Sequence, residues 1–184
     1  MIRVIALTAA YFIAGKLGLS IPYVSSSITL FWPPTGIAFA AVLIWGPSCW
    51  PGIFLGALLV NLTTGELAFP TASGVALGNT FAPVLGALML KKAIGSQNIF
   101  KCSQDVVTFI FIAASSMLLS ATGGTLSLYV SGLLSSDMVL NAWLGWWLGD
   151  IIGVMIFLPM LLAWMSNQAN RGFRHIRLRL EFIL

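Results

Sequence analysis

One acidic residue stands where its chemistry would matter. Asp150 lies inside a long apolar stretch, and Trp143, Trp146 and Trp147 precede it by seven, four and three positions. On a helix these spacings place the four side chains on one face. A carboxylate inside a bilayer costs about 3 kcal/mol on insertion scales, so it usually faces the protein interior and has a function. Beside an aromatic wall it could hold a cation or a polar ligand, or bind protons.

Lys16 offers another interpretation of the same carboxylate. It lies toward the outer end of the first apolar stretch, and its long side chain could reach Asp150 and form a structural ion pair. A ligand pocket and an ion pair are both open, and one does not exclude the other.

Two amide side chains fall in otherwise apolar stretches. Asn61 and Asn79 are each surrounded in the sequence by aliphatic and small residues. Amides in such a position link helices by hydrogen bonds, and they can also line a polar cavity. The sequence leaves both uses open.

The Trp32-Pro33-Pro34 motif predicts a short helix that starts near Pro33. Proline suits the first helical turn and pushes the residue before it toward extended backbone. A helix from there to Gly46 spans only about 20 Å at 1.5 Å per residue, against roughly 30 Å of hydrocarbon. Residues 25–31 would therefore enter the outer leaflet as non-helical chain, which is tolerated only where protein or trapped water covers it.

A helix N-terminus at that depth would offer free N–H groups and a partial positive charge to a ligand. The alternative is that Trp32 simply sits at the membrane interface and the bilayer thins. The first interpretation predicts a ligand site in the outer half of the bundle. Its residues would be Trp32, Asn61, Asn79, Trp146, Trp147 and Asp150.

Small residues recur at every fourth position in three of the apolar stretches. Four positions advance a helix by about 400°, so each set forms a smooth stripe that another backbone can approach closely. The stripes predict close packing inside the bundle, or contacts in a homodimer. Their glycines are Gly52 and Gly56, then Gly74, Gly78 and Gly86, then Gly145, Gly149 and Gly153.

The composition places all of these residues in a lipid bilayer. Of the 184 residues, 59% are hydrophobic and 8% are charged, whereas soluble domains carry about 25% charged residues. Since a span needs roughly 20 mostly apolar residues, spanning helices use nearly the whole chain. We predict one all-α, polytopic transmembrane domain over residues 1–184. Residues 1–164 would form about six helices, and residues 165–184 a basic cytoplasmic tail or the start of a further helix.

The apolar stretches give approximate helix bounds. The fifth helix should end before the loop-like Thr122-Gly123-Gly124. The expected stretches are residues 3–20, 28–45, 50–64, 72–90, 106–121 and 140–164, the helix of the second starting near position 33.

The positive charges predict an orientation. With the N-terminus inside, every Lys and Arg except Lys16 falls on the cytoplasmic side, while Glu66 and Asp137 fall in outer loops. This bias predicts N-in, C-in topology. The cytoplasmic residues are Arg3, Lys91, Lys92, Lys101, Arg171, Arg174, Arg177 and Arg179.

Several functional classes lack the residues that they need. The net charge of +4 is spread over short loops, so no folded basic surface is expected to bind nucleic acid. Cys49 and Cys102 have no metal-ligand spacing, and neither a metal nor a cofactor is expected. The single histidine, His175, lies in the basic tail, and no nucleophile has a base near it, so we predict that the chain is not an enzyme.

Four motifs together resemble a known family. They are FWPPTGIA at 31–38, WPGIFLG at 50–56, ALGNT at 76–80 and WLGWWLGD at 143–150. In this order they resemble the first type of MASE domain, the membrane-associated sensor of bacterial signalling proteins. The resemblance implies an input module of the bacterial inner membrane that acts on a cytoplasmic histidine kinase or cyclic-di-GMP domain, in the same chain or a separate one. Because that family tends to have further helices, the chain resembles its N-terminal portion.

Two other functions remain open from the sequence. A six-helix substrate-binding subunit of a small-molecule transporter would have this length, and it would need an energised partner. A purely structural membrane scaffold would use Asp150 and Asn79 for stability alone.

Overall fold

The chain folds into a bundle of α-helices. The computed structural model describes residues 1–21, 28–64, 67–95 and 102–181, with side chains up to residue 164. The described residues form six α-helices, and a 3₁₀ turn at Pro47–Cys49 precedes the third. The all-α prediction is confirmed. The helices are α1 (Ile2–Leu19), α2 (Pro33–Trp45), α3 (Trp50–Thr64), α4 (Phe69–Ile94), α5 (Ser103–Val130) and α6 (Val139–Glu181).

Four helices are long and apolar enough to cross a membrane. They are α1, α4, α5 and the Val139–Trp164 part of α6. The other two are shorter than the roughly 20 residues that a span needs, since α2 has 13 residues and α3 has 15. The chain is therefore a membrane protein whose two short helices lie between longer ones.

The short α2 occupies the middle of the bundle. It contacts α1, α4 and α6, and most of its residues are buried. Its predicted bounds are confirmed, because it begins at Pro33 and ends at Trp45 before the positive-φ Gly46. The chain just before it, from Ile28 to Trp32, is not helical; Ile28, Thr29 and Trp32 are buried, whereas Leu30 and Phe31 are exposed. Residues 25–27 of the expected non-helical stretch lie outside the described residues.

The predicted end of α5 is wrong. The helix runs through Thr122-Gly123-Gly124 and ends at Val130. Gly123 lies against Gly78 of α4, and Gly124 lies under the ring of Trp146. These glycines serve helix contact rather than a turn, since a broken backbone inside a membrane would leave polar groups without water.

The α4 helix starts earlier than expected, and α4 and α6 each continue past a proline. α4 starts at Phe69 rather than near Ala72, because Pro70 fits its first turn. Pro83 lies inside α4 and Pro159 inside α6, and both helices continue through them.

Most of the glycines singled out in the sequence lie where helices touch. A Cβ atom on Gly52 would lie 3.2 Å from Leu7 Cβ, and one on Gly56 would lie 2.7 Å from Tyr11 Cβ, both on α1. On α4, Gly74 lies against Ser127 and Gly78 against Ser120, both of α5.

Most of the remaining glycines lie around α2 and the chain before it. Gly86 of α4 lies against Phe39 of α2, whose ring atom Cε2 would be 2.6 Å from an added Cβ. Gly149 and Gly153 of α6 lie against the non-helical chain before α2, and Gly145 is buried one turn earlier.

Candidate functional site

The start of α2 is attached to the middle of α6 through backbone. The N–H of Trp32 donates to the carbonyl of Gly149 over 3.2 Å. A Cβ atom on Gly153 would collide with the Trp32 carbonyl oxygen, and one on Gly36 would collide with the Gly153 carbonyl oxygen. Only glycine lets the two backbones come this close, so the Gly149–Gly153 stripe holds the first turn of α2 in place.

Asp150 lies at the same place and is fully buried. Thr35, in the first turn of α2, donates its hydroxyl to Asp150 Oδ1 over 2.5 Å. Ser120 of α5 and Tyr11 of α1 also interact with this carboxyl group. Because the N-terminus of a helix carries a partial positive charge, the position suits a carboxylate.

The expected free N–H groups at the start of α2 are not there. Pro33 and Pro34 have no N–H, and the N–H of Thr35 donates to the Trp32 carbonyl over 3.3 Å. The side chain of Thr35 takes over the role of an anion-binding donor at this helix end.

Four buried polar atoms around Asp150 have no hydrogen-bond partner within the described part of the chain. They are Tyr11 Oη, Trp32 Nε1, Asn79 Nδ2 and Asp150 Oδ2. The Tyr11 hydroxyl interacts with the other three groups without meeting hydrogen-bond geometry. Its ring packs edge-on against Trp32 with the ring centroids 6.4 Å apart. The bundle thus brings unsatisfied polar groups from α1, α4, α6 and the cap of α2 to one point.

A small cavity adjoins this point. Its volume is about 10 Å³, which is room for about one water-sized group. Asn79 Oδ1 accepts a hydrogen bond of 2.8 Å from Ser120, and Asn61 Nδ2 donates one of 2.8 Å to Ala57 O of its own helix. Four of the six predicted site residues therefore share one cavity, which is lined by Leu19, Ile28, Thr29, Trp32, Asn61, Asn79 and Trp146.

A model of the MASE1 family matches residues 2–182. The chain belongs to the MASE1 family. MASE1 domains are sensory domains of membranes and not catalytic ones. No curated protein and no solved structure matches the chain.

In this MASE1 chain, Trp147 lies away from the cavity. Its Nε1 donates to Ala114 O of α5 over 2.8 Å, and its ring stacks on Trp143 at 5.8 Å. Consecutive residues point about 100° apart on a helix, so only Trp146 reaches the cavity. Trp146 and Trp147 lie on the same broad face of α6, yet their rings reach different neighbours.

Sequence reasoning missed four residues of the site. Tyr11, Thr35 and Ser120 surround Asp150, and Thr29 lines the cavity. Hydroxyl residues are common in membrane helices and usually bond to their own backbone, as Thr80 does to Ala76 O. The usable signal was Thr35, whose place in the first turn after two prolines aims its hydroxyl at whatever faces that helix end.

Lys16 does not pair with Asp150, and both side chains belong to the described part of the chain. Its Nζ donates to Thr63 O over 2.8 Å and to Thr64 Oγ1 over 2.6 Å. Lys16 therefore neutralises the carbonyl end of α3, where a cation is favoured by the helix dipole.

The two residues should consequently act independently. We expect Lys16→Met to lower the free energy of unfolding by about 1 kcal/mol. Combined with Asp150→Asn, the two effects should add within about 0.5 kcal/mol, since the sites share no partner. Unfolding in detergent mixtures measures the change in free energy for the single variants and for the combined one. A coupling above 1 kcal/mol would show that an ion pair forms after all.

Proposed function

We propose that this chain is the sensory input module of a bacterial signal-transduction system in the inner membrane. A ligand, or a change in the membrane, acts on the cavity beside Trp32, Asn61, Asn79 and Trp146 and on Asp150. The signal passes along α6 to a cytoplasmic histidine kinase or cyclic-di-GMP domain. The observation that carries this proposal is the attachment of α2 to α6 beside the cavity.

The contacts support a route from the cavity to α6. Trp32 lines the cavity, and its own N–H bonds to Gly149. A ligand that moves Trp32 therefore moves the start of α2 against α6, and α6 continues to Glu181. Such a signal requires two arrangements of this contact that the ligand binds with different affinity.

The proposal includes six crossings with both termini in the cytoplasm. The α2 helix is about 20 Å long, and the non-helical residues 28–32 before it add up to roughly 16 Å when extended. Together they can cross about 30 Å of hydrocarbon. Arg3, Lys91 and Lys92 support the orientation, whereas Lys101 and Glu66 lie outside the described residues.

A chimera tests the sensory role. The chain would be joined after Glu181, in the helical phase of α6, to a domain that makes cyclic di-GMP. We expect Asn61→Leu, which fills the cavity, to change cyclic-di-GMP production at least about fivefold, the usual lower size of an allosteric coupling.

The matched control is Asn141→Leu, which changes the same side chain on an exposed position of α6. It should leave production unchanged. If both chimeras fold and neither alters production, the cavity plays no part in signalling. In that case α2 and α6 form a structural scaffold.

The substrate-binding transporter subunit gains less support from the structure. A cavity of about 10 Å³ holds one water-sized group, far less than the roughly 300–1,000 Å³ of a typical ligand pocket. Co-purification with an ATPase module would nevertheless favour that function over ours.

A further inference from the structure

The cavity beside Trp32 carries two donors without a hydrogen bond in the described protein, since the Tyr11 hydroxyl near both does not meet hydrogen-bond geometry. Trp32 Nε1 and Asn79 Nδ2 both belong to residues that line it, and these residues are 8% and 2% exposed. A buried donor without a partner costs about 1–3 kcal/mol. The presence of two such donors at one cavity indicates a bound group that accepts hydrogen bonds.

The same cavity offers acceptors. Asn61 Nδ2 donates to Ala57 O of its own helix, so the amide oxygen is the polar atom of Asn61 that is left to bind another group. Thr29 supplies a hydroxyl that already donates to Ile21 O and accepts from the N–H of Phe31. The lining therefore suits a group that both accepts and donates.

The lining also carries no charge. All seven side chains are neutral, and two of them, Leu19 and Ile28, are purely aliphatic. Asp150 is not one of the lining residues, and Lys16 is directed to the end of α3. A metal ion or an anion would meet no opposite charge here, whereas a neutral oxygen would lose nothing.

We propose that this cavity binds one neutral hydroxyl oxygen, either a water molecule or the hydroxyl group of an alcohol. The oxygen accepts from Trp32 Nε1 and Asn79 Nδ2 and donates to the amide oxygen of Asn61. Its bonds join the cap of α2 to α3 and α4. The inference names the ligand chemistry of the proposed sensory site, and its test needs no signalling.

Removing a single N–H group tests the proposal. Trp32 would be replaced by benzothienylalanine, in which sulfur takes the place of the indole N–H and the shape is kept. If Nε1 donates to a bound oxygen, the folding equilibrium constant should fall about three- to fivefold, the usual value of a hydrogen bond between membrane helices. The protein is used whole, and unfolding is followed in detergent mixtures.

Two controls calibrate this measurement. The same replacement at Trp147 removes a donor with a known acceptor, Ala114 O, and should give a loss of similar size. Ser73→Ala removes a buried hydroxyl that has no partner in the described residues and does not line the cavity, so it should give no loss. If the replacement at Trp32 lowers the folding equilibrium constant no more than Ser73→Ala does, the proposal is overturned.

Solid-state NMR of the indole ¹⁵N-labelled protein gives a second, independent answer. The Trp32 signal is assigned by its disappearance in Trp32→Phe. Magnetisation reaching its N–H from exchangeable water protons identifies water, and magnetisation from a hydroxyl with carbon-bound neighbours that persists in Tyr11→Phe identifies an alcohol. Either result supports the site. An N–H without any such neighbour contradicts it.

Discussion

Gly153→Ala is expected to lower the free energy of unfolding by about 3 kcal/mol, at the upper end of the range for overpacking. The added Cβ would collide with the carbonyl oxygen of Trp32. This atom belongs to the backbone that caps α2, so it cannot rotate away as a flexible side chain would. Relief requires moving α2 from α6, which also weakens the bond from Trp32 N–H to Gly149 and the contact between Thr35 and Asp150.

Gly78→Ala is the matched control for Gly153→Ala. Its added Cβ would make tight contacts of 3.3 Å with Ser120 O and 3.4 Å with Gly123 Cα, whereas one on Gly153 would collide with Trp32 O. Alanine also favours a helix over glycine by up to about 1 kcal/mol, so the net change should stay within about 1 kcal/mol of zero. Equal losses for the two variants, measured by unfolding in detergent mixtures, would contradict the special closeness of α2 and α6.

Asp150→Asn is expected to separate stability from function. The asparagine oxygen still accepts from Thr35, and the variant no longer buries a charge, so the free energy of unfolding should rise by about 1 kcal/mol. The stimulus-dependent change of output in the chimera should disappear, because the charge that faces the start of α2 is gone. Cyclic-di-GMP production and unfolding are measured on the same protein.

Asp137→Asn provides the corresponding control. This aspartate is exposed, and its replacement should change neither stability nor output. If Asp150→Asn leaves both the fold and the output response intact, Asp150 has no part in the proposed site. A large loss of stability instead would assign Asp150 a structural role.

Membrane burial makes polar residues conspicuous in a sequence, so several residues around the cavity could be predicted. Asp150, Asn61 and Asn79 stand out in apolar stretches, and the structure places both amides at the cavity and the carboxyl group beside it. The proline pair fixed the start of α2 through backbone chemistry that does not depend on distant parts of the chain.

Other features depend on which helices contact each other, and a single sequence does not reveal these contacts. Gly123 and Gly124 resemble a turn in isolation, yet Gly78 and Trp146 pack on them and the helix continues. Likewise, nothing local distinguishes Thr35, which bonds to another helix, from Thr80, which bonds to its own. Periodicity alone predicts Trp147 at the site, whereas its indole N–H bonds to Ala114 O of α5.

The attachment of α2 to α6 has a consequence for how the protein is made. Thr35 and Asp150 are 115 positions apart in the chain, so a ribosome synthesises the partner of α2 long after α2 itself. At about 5–20 residues per second, the short helix waits roughly 6–23 seconds. During that time its uncovered backbone before Pro33 has no α6 to bond with. Nascent α2 should therefore stay beside the insertion machinery or a membrane chaperone until α6 arrives, and crosslinkers placed at Trp32 would find that helper released only when Gly149 has entered the membrane.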